Sequence, residues 1–539
     1  MKAPIRKGAI AVAASLALFL SACGGGGDDS GEGSEEAQEG GTVSVFSCTP
    51  QNPLIPVATN EVCGGNPIDA MFTGLTKVDS ESQDVELAMA KSIKTDDQKH
   101  FEITLNDDWT FHDGTPVKAE NFVKAWNWGA RKENAKLALN APFFGQLGIK
   151  GFDDVANGDA KKMSGLKVTG DYSFTVDLDR SNSLFSTMVV YSAFYPMPDS
   201  FFDDPEAFGK EPVGNGPFKF DSYTPDKSLN ISAYDDYAGD KKPHVDSIEW
   251  KIYPDPEAGY ADVVSGNLDY IDQIPPSAVS GDVWKEDLKG RNLQQPSTVW
   301  NGFAFPLYDK KFQDPNLRLA ISQAIDRDAV IDAVYGGSNE AATAWSPPPI
   351  PGYVEGVCGD ACEFKPDEAK EKLKEAGGFD DTLTISYNAD GAGNKEATEA
   401  VCTSIRKTLD IKCEANRYAQ FAQMRDDITA KKMTGMFRNG WQADYPSAQN
   451  YLAPIHKTGG SANDSGFSND EFDSLMEDSL KADPDEATEY YKKAEEILAK
   501  EMPVTPLWYN TTRFGWSNDV VEPTVTWKDT IDPLTVGKK

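Results

Sequence analysis

The sequence predicts an α/β fold, and three observations carry that expectation. A β-α-β-α-β run fills residues 382–441. Elsewhere, helices open on Asp-Pro or Ser-Asn-Asp-Glu caps and close on Gly-Gly pairs. Runs with alternating side chains, such as KHFEITL (99–105), stand between them as strands.

Taken in order, GTVSVFS (41–47) reads as the first strand, and Asp113-Gly114 makes a turn after the strand at 99–105. After Pro116, Phe122, Val123 and Trp126 share one helical face. KVTGDYSFTVDL (167–178) reads as a hairpin over Gly170-Asp171. Asp314 caps a helix with Pro315 at its first position; it breaks near Asp326-Arg327 and ends after Tyr335 at Gly336-Gly337. Lys365-Pro366 opens a helix with Ala369 and Leu373 on its face, closed by Gly377-Gly378.

The β-α-β-α-β run is TLTISY, a helix over 396–409, IKCEANR (411–417), a helix over 418–432 and TGMFRNGW (434–441). Val401, Ile405 and Leu409 form one apolar face, and Phe421, Met424 and Ile428 another. Such a run predicts neighbouring parallel strands with right-handed crossovers, and ligands bind at the carboxyl ends of strands in open α/β sheets. FRNGWQADY sits at such an end. Ser468-Asn-Asp-Glu471 reads as a capping box before Phe472, Leu475 and Met476, and Asp483-Pro484-Asp-Glu486 repeats it before the last long helix.

The N-terminus gives an address. Lys2, Arg6 and Lys7 precede thirteen uncharged residues, GAIAVAASLALFL (8–20), too short a run to remain as a spanning helix. Leu20-Ser21-Ala22-Cys23 then matches the bacterial lipoprotein signal, so 1–22 is expected to be removed and Cys23 lipidated. Residues 23–41 follow as an acidic, Gly-rich tether without a large apolar side chain. The expected location is the extracytoplasmic face of the cell membrane.

The chain has 539 residues and a net charge of −34. That acidity argues against nucleic acid, which needs a basic face. Of seven cysteines, six remain beside Cys23: Cys48, Cys63, Cys358, Cys362, Cys402 and Cys413. Six allow fifteen pairings; the sequence-near ones, 48–63, 358–362 and 402–413, are favoured. Metal binding is the rival, but CGDAC is not a C-x-x-C, so no metal is expected.

No G-x-S-x-G, H-E-x-x-H, Walker or G-x-G-x-x-G pattern occurs. His112, in FHDG, is expected to cap a turn. No catalytic residue and no cofactor is assigned, and an enzyme is not expected.

From 41 to about 535 the chain resembles the family 5 extracellular solute-binding proteins, the oligopeptide- and dipeptide-binding lipoproteins of ABC transporters. MFTGLTKVD (71–79), FEITLNDDWTFHDGTPVKAENFVKAW (101–126), GNGPFKF (214–220), LRLAISQAIDRDAVI (317–331) and GWQADYPSAQNYL (440–452) carry the resemblance. Two departures stand out: Asn106 where Arg is common, and Lys118 where a capping Thr is common.

The resemblance implies a bilobed, periplasmic-binding-protein-like fold (type II, cluster C) with an extra inserted domain. Its expected parts are lobe I at 42–75, 196–297 and 513–539, the insertion at 76–195 and lobe II at 298–512. The inter-lobe hinge would be two short strand crossings. The expected function is an extracytoplasmic receptor that encloses short peptides and passes them to the transmembrane subunits of an ABC permease, acting as a monomer. Asp444 is implied as the partner of the peptide's α-ammonium and Arg438 as that of a short peptide's carboxylate. Trp441 and Gly440 lie between them, and glycine lets a ligand backbone approach. VWNGFAF (299–305), with Trp300, and ATNEVCGG (58–65) are expected beside the cleft. The rivals are the same fold with another solute (a nickel chelate, an oligosaccharide or an opine), a secreted hydrolase, or a structural lipoprotein.

Overall fold

The computed structural model describes residues 37–389 and 393–539. The leader and Cys23 lie outside them. Residues 37–41, expected as the end of the tether, are instead docked. Gln38 N donates to Lys538 O at 2.8 Å, Gly40 N to His244 O at 2.7 Å and Gly41 N to Asp246 Oδ2 at 2.8 Å. Both glycines sit at positive φ, 89° and 81°, which a side chain disfavours, so the composition that suggested a floppy leash also permits this tight entry.

Among the described residues one eleven-stranded sheet runs through the molecule. From one edge its path of ten is Cys413–Tyr418, Leu383–Asn388, Met436–Trp441, Asn292–Ala304, Val504–Trp516, Tyr270–Ile271, Thr42–Ser47, Ser247–Ile252, Ser228–Ala233 and Phe218–Thr224, and the eleventh strand, Glu340–Ala341, pairs with Val504–Trp516 off this path. Two large cores flank it. One gathers side chains such as Ile68, Phe122, Trp126 and Trp250, and the other Phe303, Ile385, Val401 and Leu498. A separate four-stranded antiparallel sheet (Ala90–Lys94, His100–Leu105, Ser173–Asp177 and Leu166–Gly170) belongs to the first core.

The β-α-β-α-β run folds with one change from expectation. Leu383–Asn388 pairs in parallel with Cys413–Tyr418 on one side and with Met436–Trp441 on the other. The third strand therefore returns across the first instead of extending the order outward. That reversal is a topological switch point, where a crevice opens at the carboxyl ends. Met424 and Ile428 are buried, but Phe421, at the first position of its helix, is 45 % exposed.

Capping is as expected at Asp314, where Oδ1 accepts from Asn316 N at 2.9 Å, and the helix breaks between Gln323 and Arg327. At 468–471 the cap is Asn469, whose Oδ1 accepts from Phe472 N at 2.9 Å; Ser468 hydrogen-bonds Thr458 instead. Asp483 makes no side-chain cap. Lys118 is compensated by Asn121, whose Oδ1 accepts from Lys118 N at 2.8 Å. The disulfides join 48–63, 358–362 and 402–413, with Cα separations of 5.3, 5.6 and 5.2 Å.

The GNGPF segment has a structural task. A Cβ on Gly214 would lie 1.9 Å from Met71 O, so only glycine fits against the end of the Val62–Met71 helix. Asn215 accepts from Thr73 N at 3.1 Å and donates to Thr73 O at 2.9 Å. His112, expected to cap its own turn, reaches this segment instead: Gly214 N donates to Nδ1 and Nε2–H donates to Gly216 O, both at 3.1 Å. Burial lowers its pKa to about 4, so the ring is neutral. These contacts fix the helix that carries Asp69.

Candidate functional site: a cleft beside the strand crossing

Two thirteen-residue strands, Asn292–Ala304 and Val504–Trp516, pass from one core to the other. They pair antiparallel up to Pro296 opposite Thr511, then resume at Trp300 opposite Tyr509. Residues 297–299 are outside this ladder, and Pro296 has no N–H to give it. Asp529 holds the gap. Its Oδ2 accepts from Ser297 Oγ at 2.7 Å and from Thr298 N and Oγ1 at 2.9 Å each. Tyr451 donates its hydroxyl to Thr298 O.

The Met436–Trp441 strand runs antiparallel to the first of these, with Trp441 opposite Trp300 and Gly440 opposite Asn301. Its carboxyl end therefore lies at the crossing. The chain leaves it as Gln442-Ala443-Asp444, and the Gln449–His456 helix follows. Asn450, fully buried on that helix, organises the turn. Its Oδ1 accepts from Asp444 N and from Trp441 Nε1, both at 2.9 Å, and its Nδ2 donates to Asp444 Oδ2 at 3.1 Å.

Asp444 lines a cavity of about 180 Å³ with Asn60, Glu61, Asp69, Tyr191 and Lys528. Burial pushes its pKa up to about 7, against the pull of the Asn450 amide and the Lys528 ammonium. Lys528 is itself committed: its Nζ lies 2.6 Å from Asp69 Oδ2 and over the Trp527 ring at 5.6 Å. Tyr195 donates its hydroxyl to the other Asp69 oxygen at 3.2 Å. Gln442 Nε2 donates to Lys528 O at 3.1 Å, and Trp527 packs against both cores. The turn after the strand and the C-terminal segment thus close on each other around a carboxylate that has no ion-pair partner among the described residues. In chemical terms the cavity can take an ammonium.

The other expected site residues fall elsewhere. Trp441 is half-buried, packs on the second core and spends its indole N–H on Asn450. Gly440 serves the sheet: a Cβ there would meet Trp300 O at 3.1 Å. Trp300 is fully buried in the second core, so in this conformation its ring has no face toward the cavity. Arg438 lines a different cavity, of about 20 Å³, with Tyr335, Asn394 and Thr398. Its Nη2 lies 3.7 Å from where a Cβ on Gly440 would stand, whereas Asp444 lies beyond the strand's end. The two residues expected to clamp one short ligand, Arg438 and Asp444, thus line different cavities in this conformation. Thr59, Asn60, Glu61, Val62 and Gly65, from the ATNEVCGG loop, do line the Asp444 cavity, beside the Cys48–Cys63 disulfide.

Sequence reasoning missed Asn450, Asp69 and Lys528. Asn450 stood inside the quoted GWQADYPSAQNYL segment, and its spacing from Asp444 was a usable signal. Asp69 and Lys528 are 459 positions apart, and nothing local in either stretch announces the pair.

Two cores, joined by two strands with a cavity beside the crossing, make this a bilobed α/β protein. The chain belongs to the bacterial extracellular solute-binding proteins, family 5, whose model matches residues 84–463. It is 26 % identical over 519 residues to the oligopeptide-binding protein OppA of Bacillus subtilis (strain 168), covering 92 % of each chain. It is 25 % identical over 525 residues to the dipeptide-binding protein DppE of the same organism, again covering 92 % of each. Among solved structures, Haemophilus influenzae OppA in complex with RPPGFSPFR superposes with a TM-score of 0.78 at 22 % identity, covering 93 % of this chain and 100 % of that one.

Proposed function

We propose that this protein is the peptide receptor of an ABC importer. It encloses a short peptide between its lobes, pairs the α-ammonium with Asp444 and delivers the ligand to the permease. The observation that carries the reading is the Asp444 carboxylate: held by Asn450, half-buried at a cavity, and without an ion-pair partner among the described residues. A buried anion of this kind costs several kcal/mol until a cation meets it. A charge-assisted hydrogen bond from an ammonium contributes roughly 1.5–3 kcal/mol. The names of OppA and DppE support the same ligand class.

The moving units in this reading are lobe I (42–75, 196–297 and 513–539), the inserted domain (76–195) and lobe II (298–512). They bend at residues 297–299, and ligand binding shifts the open–closed population. Cys23 carries the lipid that keeps the receptor at the membrane, and the receptor works as a monomer without a cofactor.

Titration calorimetry with tri-alanine and its N-acetyl derivative tests the proposal. Tri-alanine is expected to bind, and acetylation to weaken it by roughly tenfold or more, since about 1.4 kcal/mol is a factor of ten. Equal affinity for the two would point to a solute without a free amine and overturn the assignment of Asp444.

A further inference from the structure

The Asp470–Ser479 helix serves both cores. Phe472 and Met476, one turn apart, are buried in the second. Leu480, its C-cap, is buried with the first core instead. Met476 before it and Ala482 after it both belong to the second core, so in this stretch a single side chain crosses from one core to the other.

The backbone crosses at the same point. Ser183 N donates to Leu480 O at 2.7 Å. Ser183 follows Asn182, which is fully buried and shapes the turn on the first-core side. Asn182 N donates to Gln98 O at 2.8 Å, Asn182 Nδ2 to Leu147 O at 3.1 Å and Leu184 N to Asn182 Oδ1 at 3.0 Å. The amides of 182 and 184 are thus satisfied on their own side, whereas that of Ser183 is spent across the boundary. Leu480 O is in turn one of the carbonyls that a helix end leaves without an intrahelical partner. Gln146 Nε2, which donates to Ser461 Oγ at 3.3 Å, joins the same two sides. Leu480, Ser183, Gln146 and Ser461 are not among the residues that line the Asp444 cavity. Such contacts hold only while the two cores lie together. Separation would return a leucine side chain and two backbone groups to water, and the apolar part of that cost falls on Leu480.

We propose that the Leu480 side chain and the Ser183 amide form a latch that favours the closed state whatever ligand it holds. The inference rests on the peptide-receptor reading and adds to it a residue that sets affinity without touching the peptide. Apparent affinity scales with the fraction of molecules in the binding-competent state, so weakening the latch lowers it by one common factor for every ligand.

Amide hydrogen exchange on the unmodified protein, with and without saturating Ala-Ala-Ala, tests this and needs no variant to fold. Exchange at Ser183 is expected to slow by roughly tenfold or more when peptide binds, while Asn182 and Leu184 keep their rates. Unchanged exchange at Ser183 with peptide bound overturns the latch and leaves the peptide reading standing. In calorimetry, Leu480→Ala is expected to weaken Ala-Ala-Ala and Ala-Leu-Ala by the same factor, roughly tenfold. Leu480→Met, which conserves the apolar volume, should recover most of that loss. A loss confined to one peptide would make Leu480 a ligand contact, and unchanged affinity in a folded Leu480→Ala protein would make it ordinary packing; either result overturns the proposal. If no peptide binds, the peptide reading falls, and small-angle scattering of the free protein decides the latch. A larger radius of gyration for Leu480→Ala supports it, and an equal one removes it.

Discussion

Asp444 and Glu495 are both carboxyls pushed far above their ordinary range by burial, to about 7 and about 8. Their surroundings differ. Glu495 is fully buried in the Pro484–Glu501 helix, where Oε1 accepts from Trp345 N at 2.9 Å and Oε2 has no hydrogen-bond partner among the described residues. It ties the helix to the 345–346 backbone and faces packed side chains. Asp444 is half-buried at a cavity, on a turn held by Asn450, with the C-terminal segment closing over it. A perturbed carboxyl marks buried chemistry in general; a perturbed carboxyl with empty space before it and an orienting amide behind it marks a place for a ligand.

That contrast can be broken by substitution. Asp444→Ala is expected to weaken tri-alanine binding by roughly a hundredfold, because truncating one partner of a buried charge pair costs about 2–5 kcal/mol. Its thermal midpoint should stay close to that of the parent. A loss of fold with no separate loss of affinity would make Asp444 a second Glu495.

Glu495→Gln should do the reverse: leave peptide affinity alone and change the pH dependence of stability. The folded chain keeps the Glu495 proton up to about pH 8, whereas the ordinary value is 4.5. Stability from this group is therefore complete below the unfolded value and is lost as pH rises through about 8. Denaturant titrations between pH 5 and 9, expected to fall with pH in the parent and to fall less steeply in the glutamine variant, check the sign. The smallest effect is expected from Arg438→Ala, within about threefold on tripeptide affinity, since remote substitutions usually stay within about 0.5 kcal/mol. A large loss would mean that the ligand-bound form brings Arg438 to the site.

The same two regions show what a sequence can carry. Helix starts depend on neighbours a few positions away, so most were readable to within a residue; the shift from Ser468 to Asn469 is of that size, and at Asp483 the helix begins as expected without the side-chain cap. The β-α-β-α-β run was legible as elements, but the return of Met436–Trp441 to the far side of Leu383–Asn388 was not, because periodicity says nothing of strand order. Side-chain direction failed for a related reason. Arg438 and Trp300 lie on strands buried on both faces, where hydrophobicity does not say which face meets the cavity. The Asp69–Lys528 pair and the Asp529 clasp on Ser297 and Thr298 join ends of the chain through the fold alone. The docking of Ala37–Gly41 was hidden by a composition that fits a linker equally well.

The most direct test of the central claim is the proton count on binding. At pH 6 a peptide's amino terminus, with a pKa of about 7.7–8.0, is already charged. Asp444, at about 7 in the free protein, is mostly protonated there and must ionise to meet it. Calorimetric titration of tri-alanine at pH 6, in two buffers of different ionisation enthalpy, should show release of most of one proton, absent in Asp444→Asn. Binding with no proton exchange, or with uptake, would contradict an ammonium seated on this carboxylate.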